Sequence, residues 1–449
     1  MKSGARLQVQ VLRRWCSSSS ASVDASEQSL IAWVREQGGR VGALQVGESG
    51  HGGWGLRTTD AVRAGESLIA LPPHLPLSVQ TSDPVLLALF DRVPEELWTV
   101  KLGLKLLAER TRFQTSQWRP YIQNLPKRFT VPIFYSSEEI QALQYVPLMH
   151  QVQKRIRFLS EFASETMPNV IGQGPQPDHP FKKHQVLPHA LAWSMAAVSS
   201  RAFHVHKSGG GSSLLPLVDM CNHSFAPTGR LVQHSSSPQS LPVLEVVAEK
   251  DLDEGEDVFL NYGSLSNDIL LLDYGFVLPN NPNDRVELRY DGQLLDTACL
   301  VAKVDSLSSF KHPAQWQQEL LERLQLYGPG ASQSVTLGGT ELVEGRLLAA
   351  VRLMHAQDSN TLIDVDLKAL QIWDRTPPLG VMNERRAIRT LIGLGMLALT
   401  AFPTVIQEDE SELVKGGISD NLRIATQFRI LKKHLLLETI KGLKAKYPS

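Results

Sequence analysis

Short apolar runs set between glycines and prolines, such as Ala43–Val46 and Leu68–Leu71, predict β structure from about Val41 to Ser78. From Asp83 to about Arg201 the period changes. Leu102, Leu106 and Leu107, then Trp193, Ala196, Ala197 and Ser200, recur at helical spacing and predict a mostly helical stretch. A turn-rich connector, Gly172 to Pro177, and a glycine-rich loop, Gly209 to Ser213, mark element boundaries within or after it. Strand-like text returns at Leu214–Val218, Val243–Ala248 and Asp257–Tyr262, closed by turns at Asp253–Gly255 and Asn280–Pro282. Beyond about Gly292 the pattern is nearly all helix, ending in Ile424, Phe428, Leu431 and Leu435 on one face. The expectation is therefore an α+β protein: a fold of short sheets interrupted by a helical insert, followed by an all-helical C-terminal domain. Its boundaries are placed at 24–290, with the insert at about 84–190, and at 291–449.

Composition narrows the class. The chain has 449 residues, 42% hydrophobic and 20% charged, so it can build more than one core and does not have the charge balance of a disordered polymer. A net charge of -1 provides no field for holding a polyanion, which argues against generic nucleic-acid binding. Cys16, Cys221 and Cys299 form no CxxC pair, so neither a zinc cluster nor a disulfide framework is expected, and a reducing compartment fits. The longest apolar run, Leu391 to Phe402, is well short of the ~20 residues that cross a bilayer, so no membrane span is expected.

Residues 1–23 contain no acidic side chain, while Lys2, Arg6, Arg13 and Arg14 and the serine run Ser17–Ser20 give the composition of an organellar transit peptide. The pair Arg13-Arg14 interrupts the apolar stretch that a secretory signal would need. Localisation in a chloroplast or mitochondrion is the expectation, with a ragged terminus on a cytoplasmic protein as the alternative.

Three local motifs carry chemical possibilities. Gly50-His51-Gly52-Gly53-Trp54-Gly55 contains a GxGxxG match, but the strand-like text that follows it does not open a helix, so a dinucleotide site is disfavoured and a hairpin turn is the plainer reading. Asp219-Met220-Cys221-Asn222-His223-Ser224 follows an apolar run directly, as a built site or a polar turn would. Asn261-Tyr262-Gly263 is followed by Asp273-Tyr274-Gly275-Phe276, two tyrosine-glycine pairs that would usually be core residues beside turns.

Taken in order, with Ser200-Arg201-Ala202-Phe203 between the first two, these segments resemble the SET-domain protein methyltransferases. More narrowly, the chain is similar to the Rubisco large-subunit lysine methyltransferase group, in which a helical insert splits the SET domain and a helical substrate-binding domain follows. Asn383-Glu384, Phe402 to Glu410 and Arg429 to Lys433 resemble that group's C-terminal region. The resemblance implies S-adenosyl-L-methionine as cofactor, held by Gly53, Trp54, Gly55, Phe203, Asn222, His223 and Tyr262. It also implies Tyr262 as the catalytic tyrosine, with Arg201, Asp219, Tyr274 and Phe276 toward the acceptor. No metal is implied. A non-histone protein is expected as substrate, an organellar one being the case that the transit-like segment favours; oligomeric state is left open.

The chemistry suits these residue types. Methyl transfer from a sulfonium needs nucleophile, carbon and sulfur in line, so positioning is the enzyme's main contribution. A lysine, with an ordinary pKa of ~10.4, must first lose its proton, and a neighbouring positive sulfur and an aromatic channel both favour the neutral amine. Lysine methylation of a non-histone protein is the leading expectation. Histidine methylation is the enzymatic alternative, and a silent adaptor built on the same fold is the non-enzymatic one. The basic residues Lys432, Lys433, Lys441, Lys444 and Lys446 are expected on the solvated face of a packed helix.

Overall fold

The computed structural model describes residues 24–49, 53–171, 179–181, 185–205, 211–234, 243–305, 308–358, 366–374 and 376–446. The transit-like segment 1–23, most of the glycine cluster before Gly53 and the connector 172–177 lie outside them. The chain forms two compact units, one from 1–129 and 155–263, the other from 130–154 and 264–449. The helical stretch expected at 84–190 is therefore shared, its middle portion falling in the second unit.

In the first unit, helix α1 (Asp24–Glu36) buries Leu30, Ile31, Trp33 and Val34 on one face. Strands β1 (Arg40–Val41), β4 (Ser67–Leu71), β9 (Gly229–His234) and β10 (Val243–Ala248) make an antiparallel sheet in the order β1-β4-β10-β9. Leu68, Ile69, Ala70 and Leu71 of β4 are all buried, as expected of a strand covered on both faces. In β10 only Leu244, Val246 and Ala248 point inward, the period-two pattern of a half-buried strand.

Smaller sheets carry the site. β2 (Leu44–Glu48) and β3 (Trp54–Thr58) form a hairpin in register Glu48↔Trp54 to Leu44↔Thr58. β5 (Leu77–Ser78), β6 (Ala202–Val205) and β7 (Gly211–Leu214) form a three-stranded sheet, with β7 in the middle. β8 (Asn222–His223) pairs in parallel with β11 (Phe259–Leu260). Helices α2 (Trp98–Thr111) and α4 (Pro188–Arg201) pack together, and the short α3 (Arg119–Asn124) lies between them in sequence.

The strand expected at Leu214–Val218 stops at Leu214. Pro216 cannot donate to a ladder, Leu217 has a left-handed φ of 70°, and Val218–Met220 turns into a 3-10 segment. Of Asp257–Tyr262, only Phe259 and Leu260 form a regular strand.

The second unit is mainly helical, with α5 (Gly292–Val301), α6 (Gly345–Met354), α7 (Gly380–Thr400) and α8 (Asp420–Ala445) sharing one apolar core. It also holds an antiparallel strand pair, β12 (Val286–Arg289) with β13 (Ser334–Leu337), of which β13 falls in the stretch beyond Gly292 that was expected to be helical. Only Val335 and Leu337 of β13 face inward, too short an alternation to stand out among the turn residues around it.

Lys432 and Lys433 correct the expectation of a solvated basic face. Both are fully buried in α8. The Lys432 ammonium donates to Asp268, to Asp284 at 2.7 Å and to the Arg285 carbonyl at 2.6 Å. Lys433 donates to Asp409 and to the Thr404 carbonyl. No described helix is long and apolar enough to cross a membrane.

Candidate active site

Gly53 begins the site. It has a φ of 79°, which a residue with a side chain rarely adopts, and its carbonyl accepts from the Ser49 amide at 2.8 Å to close the β2–β3 turn. Next along β3, the Trp54 carbonyl accepts from the Asn222 side-chain amide at 3.2 Å. Gly55 makes that bond possible: a Cβ there would sit 2.7 Å from Asn222 Nδ2. The first glycine motif and the Asn-His corner, 168 residues apart, are thus one structure.

Tyr262 closes the arrangement from the end of β11. Its hydroxyl donates to the Cys221 carbonyl at 2.6 Å, and its amide donates to His223 Nδ1 at 3.1 Å. His223 Nε2 is buried without a hydrogen-bond partner among the described residues. Burial holds the His223 pKa below its ordinary value. The Tyr262 ring lies 5.1 Å from the His223 ring, and Phe203 of β6 meets it edge-on at 6.4 Å.

Arg201 and Asp219 lie directly behind this corner. Arg201 Nη1 donates to both the carbonyl and the carboxylate of Asp219, at 3.1 and 3.3 Å. The Asp219 side chain is only 1% exposed, and it takes a second donor, the Tyr121 hydroxyl of α3, at 2.7 Å. Burial pushes the Asp219 carboxyl up, with Arg201 and Tyr121 opposing it. Burial, then the Asp219 charge, pushes the Tyr121 phenol well above its ordinary value. Arg201 Nε and Asp219 Oδ1 have no hydrogen-bond partner among the described residues. The Cys221 thiol is fully buried and its pKa raised, so it is a packing residue and not a nucleophile.

The structure therefore brings together Gly53, Trp54, Gly55, Arg201, Phe203, Asp219, Asn222, His223 and Tyr262 within the first unit. Tyr274 and Phe276 belong to the second. There Tyr274 ends a π-helical turn, Leu270–Tyr274, capped by Gly275, and its ring stands edge-on to Phe276 at 6.1 Å. Burial, then Asp273, pushes the Tyr274 pKa up to about 12. Tyr121 was not legible as a site residue: its segment, Arg119-Pro120-Tyr121-Ile122, carries no motif, and only the fold brings it to Asp219 across 98 residues.

Among the described residues, no group of three or more His, Cys, Asp or Glu side chains could hold a metal ion. A half-exposed main-chain edge at Gly53 and Trp54, a fixed side-chain amide and a tyrosine oxygen beside aromatic rings form an arrangement that binds by shape and hydrogen bonding. It could orient a small cationic ligand.

Two stretches of the chain match known families. Residues 53–263 match the SET domain family and residues 308–436 match the Rubisco LSMT substrate-binding family. The SET match ends at the last residue of the first unit. Similar curated proteins include the actin-histidine N-methyltransferases of Homo sapiens and Callithrix jacchus. Each is 26% identical, over 92% of this chain and 67% of the relative. Among solved structures, the SET domain of LSMT bound to lysine and AdoHcy aligns with a TM-score of 0.65 at 21% identity, covering 95% of this chain and 92% of that one. Rubisco LSMT bound to AdoMet aligns with a TM-score of 0.63 at 21% identity, covering 94% and 92%.

Proposed function

We propose that this chain, which belongs to the SET-domain proteins and pairs that domain with a Rubisco LSMT substrate-binding domain, is an S-adenosylmethionine-dependent methyltransferase acting on a side-chain nitrogen of a protein. The observation that carries the reading is the convergence of Trp54, Asn222, His223 and Tyr262 through direct hydrogen bonds.

These residues suit the cofactor. A Cβ built on Gly53 would meet no atom of the described residues within 4 Å, so a ligand can approach the backbone there, and His223 offers an orphaned buried nitrogen close by. Gly53, Trp54, Gly55, Phe203, Asn222 and His223 would hold S-adenosylmethionine. When bound, it supplies a methyl group on positively charged sulfur. Tyr262 commits its proton to Cys221, so toward that methyl its oxygen would act as an acceptor of weak C–H contacts that orient it. Phe203 and the His223 ring keep the tyrosine from swinging away.

For the acceptor, the similarity to actin-histidine N-methyltransferases over most of the chain favours an imidazole. The chemistry is undemanding, since with an ordinary pKa of ~6.5 an imidazole is mostly neutral at pH 7 and can attack without a general base. Lysine is the second reading, favoured by the motif order shared with the Rubisco methyltransferase group. The transit-like composition of residues 1–23 supports an organellar acceptor, and imaging a fusion of that segment to a fluorescent protein tests it.

The decisive experiment incubates the protein with radiolabelled S-adenosylmethionine and an organellar extract, then identifies the modified side chain by mass spectrometry. Methylhistidine is expected. Methyllysine would establish the second reading, and no labelling with intact cofactor binding would point to an adaptor.

A further inference from the structure

We infer that Tyr121 is a positioning residue for methyl transfer, acting through Asp219 and Arg201 on the turn that presents Cys221, Asn222 and His223; this rests on the function proposed above. Three hydrogen bonds tie the turn to the site. The Cys221 carbonyl holds the Tyr262 hydroxyl, Asn222 holds Trp54, and His223 takes the Tyr262 amide. A displacement of an ångström at Asp219, two to four residues before them, would move all three partners at once.

The turn does not rest in a relaxed conformation. Leu217 enters it at φ 70° and ψ -42°, a region a bulky side chain avoids, so the surrounding structure must over-determine it. Two clamps do so. Arg201 grips the Asp219 main chain and side chain together, and Tyr121, itself 2% exposed, fixes the other side of the carboxylate oxygen. Arg201 leads directly into β6 and Phe203, which meets the Tyr262 ring. Tyr121 thus completes a path from helix α3 to both sides of Tyr262 without touching the reacting atoms.

The groups that face the Asp219 carboxylate are Arg201, Tyr121 and the Cys221 thiol, with Tyr262 coupled to Arg201. Burial raises this carboxyl, and the Tyr121 hydroxyl is one of the donors that restrain the rise. Removing that donor leaves the carboxylate less stable and shifts its protonation to higher pH.

The test uses the full-length protein and compares Tyr121→Phe, Asp219→Asn and the double variant. Phenylalanine keeps the ring in the core, so the fold is retained. Loss of one hydrogen bond to a charged group is expected to lower kcat by about tenfold, with KM for S-adenosylmethionine changing far less. The acidic limb of kcat should move to higher pH in Tyr121→Phe, and adding Tyr121→Phe to Asp219→Asn should produce no such movement, because the amide has no carboxyl proton to gain. An unaltered kcat, an unmoved acidic limb, or the same movement of the limb in the Asp219→Asn background would each overturn the inference. Amide hydrogen exchange at Cys221 to His223 supplies a readout independent of turnover: faster exchange in Tyr121→Phe is expected, and unchanged exchange would overturn the positioning role. If the parent protein transfers no methyl group, the proposed function fails, while the exchange measurement still judges Tyr121.

Discussion

The Tyr262 hydroxyl donates to the carbonyl of Cys221, 41 residues earlier in the chain, at 2.6 Å. The bond orients the phenol, because a hydroxyl with its only proton committed can act toward a ligand solely as an acceptor. Tyr262→Phe keeps the ring against His223 and Phe203 and removes the oxygen. We expect cofactor affinity within about threefold of the parent and methyl transfer slower by roughly a hundredfold or more. Single-turnover assays with radiolabelled cofactor check this; an unchanged rate would remove Tyr262 from the mechanism.

Gly55 and Asn222 make a second prediction as a pair. Asn222→Ala frees the Trp54 carbonyl and should weaken S-adenosylmethionine binding by about tenfold, the scale of one hydrogen bond. Gly55→Ala should weaken binding by a different route, since the new methyl would lie 2.7 Å from Asn222 Nδ2 and push the amide aside. Once Asn222 is alanine, that obstacle is gone. Titration calorimetry on both single variants and the double should therefore show the Gly55→Ala effect largely vanish in the Asn222→Ala background, and simple additivity would refute the contact.

Much of this site could be read from the sequence because each contributor sits in a short, chemically distinctive segment. Gly53-Trp54-Gly55, Asn222-His223 and Asn261-Tyr262-Gly263 each announce a turn beside apolar text, and their order supplied what their separate spacings could not. The support beneath them was not readable. Tyr121 looks like any helix tyrosine, and its partner Asp219 is distant in sequence. The left-handed turn at Leu217 likewise has no local signature, since glycine or asparagine would normally occupy such a position.

Lys432 shows the same limit in the second unit. On a helical wheel a lysine beside Lys433 reads as a wet surface, whereas its partners Asp268 and Asp284 come from segments about 150 residues away. Removing the ammonium by Lys432→Met would leave two buried or nearly buried carboxylates without their cation. Breaking a buried pair from one side costs about 3–5 kcal/mol, so the urea midpoint should fall markedly. Lys441→Met, at an exposed lysine of the same helix, should leave it nearly unchanged. Equal midpoints for the two variants would contradict the buried network.

His355 gives a prediction with a definite sign. Thr390 donates its hydroxyl proton to the Arg386 carbonyl at 3.0 Å, so toward His355 Nε2, 2.8 Å away, it can only accept, and the imidazole must carry its proton on Nε2. Nδ1 is then a buried lone pair with no partner among the described residues, and protonating it would bury a charge with nothing to receive the new N–H. Burial, and secondarily the positive Arg386, lower the pKa from 6.5 to about 4. The unfolded chain binds this proton more readily than the folded one, so the folded state loses stability as pH falls from about 6.5 to about 4, by about 3 kcal/mol in total. His355→Gln retains a donor for Thr390 and cannot titrate. Urea midpoints measured at pH 7 and pH 5 should fall less for the variant than for the parent, and parallel declines in the two proteins would show that His355 is not the group responsible.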